Sequence, residues 1–246
     1  MKKIVVTGTR GIPFIQGGVE THCEELYPRM VRLGFDVNLV MRSWYIIIPE
    51  FKLKVFNGVK LSTLYAPHIK GLEAFIHTFL AVIWAKKQKA DIIHIHAIGP
   101  AIMAPFARFL GLKVVFTHHG CDYERAKWGR FAKFVLKMGE RLGTAYANEV
   151  IVISEIIQKS LVEKYNRKNT HLIFNGVNTP VFAEQSDFIT GNDESLIEGL
   201  EQQLNSNFDP ANYDLTPYIW NQIALQTAEV YKKVLKKKTT AFENII

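Results

Sequence analysis

Eight of the residues in this chain are histidines, and four of them fall where chemistry could be done. His94 and His96 end the apolar run Asp91–His96, and His118 and His119 follow the run Lys113–Thr117. Two histidines at alternating positions lie on one face of a strand, which raises the question of a metal site. No carboxylate or third ligand is spaced to complete a shell, so the expectation is no metal, with His94 a buried and hydrogen-bonded histidine. Thr117-His118-His119-Gly120 differs, because it leads into the polar run Cys121-Asp122-Tyr123-Glu124-Arg125. A neutral imidazole there could hydrogen-bond a sugar hydroxyl or a developing charge on a phosphate leaving group. A purely structural role is the plain alternative.

The second feature is a glycine loop. Ile4-Val5-Val6 enters a segment holding Gly8, Gly11, Gly17 and Gly18, and an amphipathic pattern opens at Val19. A strand, a glycine loop and a helix start make an anion site: backbone N–H groups point at the ligand and glycine lets a phosphate come close. A phosphorylated ligand, most simply a nucleotide, is expected; a ligand-free structural loop is the alternative. A dinucleotide fingerprint is absent, because the spacing is wrong and Val40 is followed by Met41, Arg42 and Ser43 rather than an acid. Thr7-Gly8 with Gly11 does begin as some short-chain reductases do, but Phe14 stands at the third glycine position. Tyr123 and Lys127 fit a Tyr-x-x-x-Lys pair, in which the lysine would lower the phenol pKa for NAD(P)-dependent hydride chemistry. No serine sits shortly upstream, and the reductase reading stays a minor alternative. Cys23 and Cys121 carry no mark of a nucleophile, and no Ser-His-Asp or paired-carboxylate arrangement follows from spacing.

These residues need elements to position them. Short, continuously apolar runs at Lys3–Thr7, Asp36–Met41, Asp91–His96, Lys113–Thr117, Glu149–Ile153 and His171–Phe174 read as parallel strands covered on both faces. Helical patterns separate them at Val19–Leu33, Leu72–Lys87, Pro100–Leu110, Arg130–Tyr146 and Glu155–Tyr165, with Ser154 as an N-cap. Asn57-Gly58 marks a hairpin. The expected fold is a doubly wound α/β domain over residues 1–182, with a ligand crevice at the carboxyl ends of its strands. Residues 183–217 form an acidic linker with one expected helix, Glu194–Leu204. Residues 218–246 carry an amphipathic helix, Tyr218–Leu235.

Charge divides the same way. Residues 1–182 hold 25 Lys and Arg against 13 Asp and Glu, whereas residues 183–217 hold 8 acids and no Lys or Arg. A basic body suits a phosphorylated ligand or an anionic membrane surface, or is simply a solvated lysine-rich surface. Nucleic acid is not expected, because the basic residues are dispersed and no recognition motif is present. Two cysteines give no disulfide framework. The start reads as a strand rather than a signal peptide, and a reduced, cytoplasmic setting is expected. Leu72–Lys87 is apolar over most of its surface and ends in Lys86, Lys87 and Lys89. It could dock on anionic lipid or form a buried outer-layer helix.

Taken together, five motifs carry a resemblance. They are Gly8-Thr-Arg-Gly-Ile-Pro13, Gly17-Gly-Val-Glu-Thr-His22, His94-Ile-His-Ala-Ile-Gly-Pro100, Thr117-His-His-Gly-Cys-Asp-Tyr-Glu-Arg125 and Asn148-Glu-Val-Ile-Val-Ile-Ser-Glu155. In this order they resemble the N-terminal, acceptor-side domain of family-4 glycosyltransferases of the GT-B fold, over about residues 1–182. The resemblance implies a Rossmann-like half-enzyme that transfers a sugar, with retention, from a nucleotide-diphosphate sugar to a cell-surface polysaccharide or lipid-linked acceptor, usually without a metal or other cofactor. Gly17 and Gly18 would approach the donor diphosphate, and His119 would sit beside the transferred sugar as the catalytic-site residue. Arg10, Glu20, His118, Asp122, Tyr123, Arg125 and Lys127 would face the acceptor. Localisation at the inner face of the membrane, by peripheral contact, would suit such an acceptor.

One departure is large. The family's second domain supplies an Arg/Lys pair and a Glu-x7-Glu motif for the donor, and neither follows Val177. The 64 residues after Phe182 instead resemble the last two helices of such an enzyme, the final one crossing back onto the first domain. The chain reads as an enzyme whose donor half is deleted internally. The rival reading is a non-catalytic module that binds acceptor, membrane or a separate donor domain.

Overall fold

A computed structural model describes residues 1–45, 53–69, 72–124, 128–177 and 215–237. Its centre is a sheet of eight strands in the order β3-β4-β2-β1-β5-β6-β7-β8. The strands are β1 (Lys2–Thr7), β2 (Phe35–Arg42), β3 (Val55–Phe56), β4 (Val59–Leu64), β5 (Ile92–His96), β6 (Lys113–His118), β7 (Glu149–Val152) and β8 (His171–Leu172). All neighbours run parallel except β3 and β4, which form the hairpin turned by Asn57-Gly58. The helices are α1 (Gly18–Arg32), α2 (Leu72–Lys87), α3 (Ala104–Phe109), α4 (Arg130–Tyr146), α5 (Glu155–Tyr165) and α6 (Trp220–Lys236). The doubly wound fold expected from the alternating pattern is present. Ser154 caps α5, its hydroxyl accepting from Ile157 N at 3.3 Å.

Side-chain alternation along the strands sorts the core into two layers. Ile4, Val6, Val37, Leu39, Ile92 and Val115 pack under α1 and α6, against Leu26, Tyr27, Met30, Ile223, Tyr231 and Val234. Val5, Val40, Ile93, Ile95, Val114 and Phe116 face the other way, towards α2, α3 and α5.

Differences from the expected elements have local causes. The helix expected over Pro100–Leu110 is a 3-10 turn, Pro100–Met103, followed by α3. Pro105 has no N–H to donate to Ala101 O, so the α-helical ladder cannot run through. The last helix starts at Trp220, because Thr216–Tyr218 forms a 3-10 turn around Pro217. The expected helix Glu194–Leu204 lies outside the described residues, as does all of the acidic linker except residues 215–217. Helix α2 is half buried: His77, Thr78, Ala81, Val82 and Ala85 are inside, and Leu72, Phe75 and Phe79 are exposed. No described helix is long and apolar enough to cross a membrane.

Helix α6 is bound tightly to the body. Trp220, Ile223, Tyr231 and Val234 are buried, and the Trp220 ring occupies the space a side chain at Gly176 would need. Glu149 of β7 accepts from Lys237 at 2.5 Å, His171 at 2.8 Å and Lys233 at 3.2 Å. Lys113 Nζ donates to Leu235 O and Lys237 O at the helix C-terminus, where a cation is favoured. Val177 bridges to Ile219, with Val177 N donating to Tyr218 O at 3.0 Å.

Candidate functional site

Strand order reverses between β1 and β5, and a crevice belongs at the carboxyl ends of that pair. Gly8 makes the pair close. Its φ is +99°, and an added Cβ would lie 2.1 Å from His96 O, so only glycine fits there. The loop after β1 then turns into α1, whose N-cap, Gly17, makes no side-chain capping bond. Gly18 opens the helix with nothing within 4 Å of where its Cβ would be. Gly18 is itself exposed, so the start of α1 is reachable from solvent where an anion site would lie.

The loop is held by one ion pair. Glu20 is buried, and its carboxylate accepts from Arg10 N at 3.0 Å, Arg10 Nε at 3.1 Å, Arg10 Nη2 at 3.0 Å and Thr9 Oγ1 at 3.2 Å. Burial pushes the Glu20 carboxyl up, but the Arg10 bonds outweigh it and hold it below the usual carboxylate range. A side chain at Gly17 would strike this pair.

Beside the loop lies a chain of histidines. His94 Nε2 is 2.7 Å from Thr117 Oγ1, and His94 Nδ1 lies 3.0 Å from Tyr27 Oη and 2.6 Å from Tyr231 Oη. Tyr27 Oη continues to His96 Nε2 at 2.5 Å, and His96 Nδ1 meets His119 Nε2 at 2.8 Å. His22 of α1 stands edge-on to His119 and bonds Asn175 Oδ1 through Nδ1 at 3.1 Å. Burial drives these imidazoles neutral: His94 falls to about 3, His22 to about 4, and His96 and His119 well below the ordinary value. Only His119 is partly exposed, so it is the end of the chain that a ligand in the crevice can touch.

His118 belongs to a second cluster on the opposite face of the sheet. Its Nδ1 accepts from Gly120 N at 3.2 Å, so Nε2–H donates to Glu140 Oε1 at 2.8 Å. Glu140 of α4 also accepts from Tyr123 at 3.2 Å and Tyr165 at 2.7 Å. Close packing brings α4 here, since a Cβ on Gly139 would lie 2.0 Å from Ile98 O. Tyr123, Glu124, Lys133, Lys137, Glu140, Lys164 and Tyr165 line an adjoining cleft of about 520 Å³.

A family model described as Glycosyltransferase Family 4 matches residues 16–180, more than half of the chain. The chain belongs to glycosyltransferase family 4. Among solved structures, it is similar to the sucrose-phosphate synthase of Thermosynechococcus elongatus. The TM-score is 0.54 and the identity 18%, over 72% of this chain and 49% of that one. A second chain of the same enzyme gives a TM-score of 0.53 at 15% identity, over 95% of this chain and 99% of that one. These likenesses show the fold. The chain spans about half the length of the first of these structures. No curated protein matches significantly.

Against this family frame, the expected site residues divide. Gly17, Arg10 and Glu20 lie together beside Gly18 at the start of α1, with both Glu20 oxygens taken up by Thr9 and Arg10, and His119 stands against His22 one turn along that helix. His118 and Tyr123 lie together on the α4 side, both buried against Glu140. Asp122 is in the 3-10 turn Asp122–Glu124. Arg125 and Lys127 lie outside the described residues. The lysine at the Tyr123 hydroxyl is Lys164, at 2.9 Å. Burial pushes the Tyr123 phenol up, and Glu140 adds to the effect, the opposite of what hydride chemistry needs. Sequence reasoning missed His22, Tyr27, Asn175 and Tyr231, which complete the histidine chain, and Glu140, which anchors the second cluster.

Proposed function

We propose that this chain is the acceptor-side half of a retaining glycosyltransferase that takes sugar from a nucleotide-diphosphate sugar and delivers it to a cell-surface glycan or a lipid-linked acceptor. The observation that carries this reading is the crevice itself. In a family-4 body, the glycine start of α1 lies at the strand-order reversal, and one turn along that helix His22 stands against the partly exposed His119. The diphosphate binds the amides of Gly18 and Val19, where the helix dipole favours negative charge. His119, neutral and fixed by His96, presents its remaining ring nitrogen to the sugar. Contacts to the far side of the donor come from a second lobe, since one face holds a leaving group from one side only.

Acceptor binding falls to the cleft beside Tyr123. Lys133, Lys137 and Lys164 give it positive charge suited to a phosphorylated acceptor. On the same helix, Phe131 and Phe134 are strongly exposed among Arg130, Lys133 and Lys137, a surface suited to peripheral contact with anionic lipid.

Calorimetric titration with UDP, GDP and their sugar conjugates tests the donor half of this reading. The wild type is compared with Gly18→Val, whose side chain projects into open space and leaves the fold intact. Saturable binding weakened at least about tenfold in Gly18→Val, roughly 1.4 kcal/mol, is expected. Equal affinity in the two proteins, or no binding by the wild type, would contradict the reading.

A further inference from the structure

Three of the crevice histidines do more than pass a hydrogen bond. We propose that His22, His96 and His119 form a binding site for one divalent transition-metal ion, with Zn2+ the natural occupant. One ring nitrogen from each lies within 4.8 Å of the other two. The ring centroids are 4.9 Å apart for His22 and His119, 5.1 Å for His96 and His119, and 5.6 Å for His22 and His96. The three come from α1, the end of β5 and the loop after β6, so the folded body sets their spacing. Imidazole nitrogens select Zn2+, Co2+, Ni2+ or Cu2+ over Mg2+ and Ca2+, and three of them leave one coordination position open.

The outer partners of these rings are those a metal site needs. Asn175 Oδ1 accepts from His22 Nδ1–H, which leaves the lone pair on Nε2 for an ion. Tyr27 Oη is placed at His96 Nε2, which leaves Nδ1, the nitrogen facing His119. At present one proton lies between His96 Nδ1 and His119 Nε2. Ion binding needs a tautomer shift: the His96 proton moves from Nδ1 to Nε2, Tyr27 Oη accepts it there, and the Tyr27 hydroxyl turns to Tyr231 Oη, whose own proton stays on its bond to His94 Nδ1. No proton need leave the protein. His119 is partly exposed and gives the ion its route in from the crevice.

His118, Cys121 and Glu140 are also close enough to share an ion. Their donor atoms are already engaged, since Gly120 N takes His118 Nδ1 and Glu140 accepts from His118, Tyr123 and Tyr165. In the first triad only the His96–His119 bond is given up, and the Tyr27–His96 bond is kept with its direction reversed. This assignment stands on ring nitrogens alone and does not depend on sugar transfer.

The test is titration of the chelator-stripped full chain with Co2+, followed by displacement with Zn2+. One equivalent of Co2+ with the visible absorption of a four-coordinate site is expected. NMR of the wild type should show the imidazole signals of His22, His96 and His119 shifting together. His22→Gln and His119→Gln should each abolish the band, and Asn175→Ala should weaken binding about 10- to 100-fold while keeping all three ligands. Cys121→Ser should leave uptake unchanged. No saturable uptake by the folded wild type would overturn the proposal. So would unchanged affinity in His22→Gln, or loss of the ion in Cys121→Ser.

Discussion

Four neighbouring imidazoles, three of them buried, tie stability to pH. His22 titrates at about 4 and His94 at about 3, against 6.5 for an ordinary imidazole, with burial as the largest cause. Below pH 6.5 the unfolded chain takes up protons that the folded chain refuses, so folding loses stability as the pH falls from about 6.5 towards 4. Each such histidine contributes at most about 1.4 kcal/mol per pH unit across that window. Thermal unfolding should therefore show a midpoint that drops steadily between pH 7 and pH 5, with a shallower slope in His94→Gln. A flat midpoint across that interval would contradict neutral burial. At this scale the sequence was only partly legible. His94, His96 and His119 stand out because they end strands, and strand ends line a crevice. His22 and Tyr27 come from a helix, where they interrupt a stripe containing Cys23, Leu26 and Met30; a polar residue in an apolar stripe is a signal, but it does not name its partner. Asn175 and Tyr231 reach the same cluster from far along the chain, and no local pattern predicts that. Neighbouring His118 was expected to face the acceptor, and strand alternation turns it to the face opposite the histidine chain.

Elements set these clusters by how they are clamped. Helix α6 supplies Tyr231 to His94 and rests on Glu149, whose carboxyl is pushed up by burial but drawn down to about 2 by its bonds from His171, Lys237 and Lys233. A carboxylate held this low adds stability above its unfolded value near 4.5 and loses it as pH falls towards 2. Glu149→Gln should cost about 1–3 kcal/mol at pH 7, reduced by solvent screening because both lysines are half exposed. The cost should shrink as the pH falls from about 4.5, where the unfolded carboxyl takes up its proton, and be largely gone by pH 2. Denaturant unfolding at the two pH values checks this; an equal cost at both would show that charge is not what holds α6. The amphipathic pattern of α6 was readable from Ile223, Val230 and Val234, since spacing reports a buried face. What that face covers depends on a parallel bridge between Val177 and Ile219, which spacing cannot report. The break at Pro105 was readable in principle, because proline removes a helical donor wherever it stands.

At the scale of the whole molecule, one sheet carries two chemically different faces, and the strand-order reversal joins them at its carboxyl edge. The α1 and α6 face holds neutral imidazoles beside the glycine start of α1, where the proposed function places the diphosphate and the sugar. The α4 and α5 face holds Glu140 among tyrosines and lysines, where the proposed function places an anionic acceptor. The doubly wound architecture was legible because alternating apolar runs and amphipathic helices admit few other folds. The pairing of His96 with His119 follows from that topology, since β5 and β6 are neighbours and their ends come together. The central claim is that a nucleoside diphosphate docks at the start of α1. Amide NMR during titration with UDP or GDP tests it most directly. Shifts concentrated at Gly17, Gly18, Val19 and Glu20 are expected, with a smaller response at His119 and none at Tyr165. Shifts confined to the cleft around Tyr123 and Lys164, with the α1 amides unmoved, would contradict it.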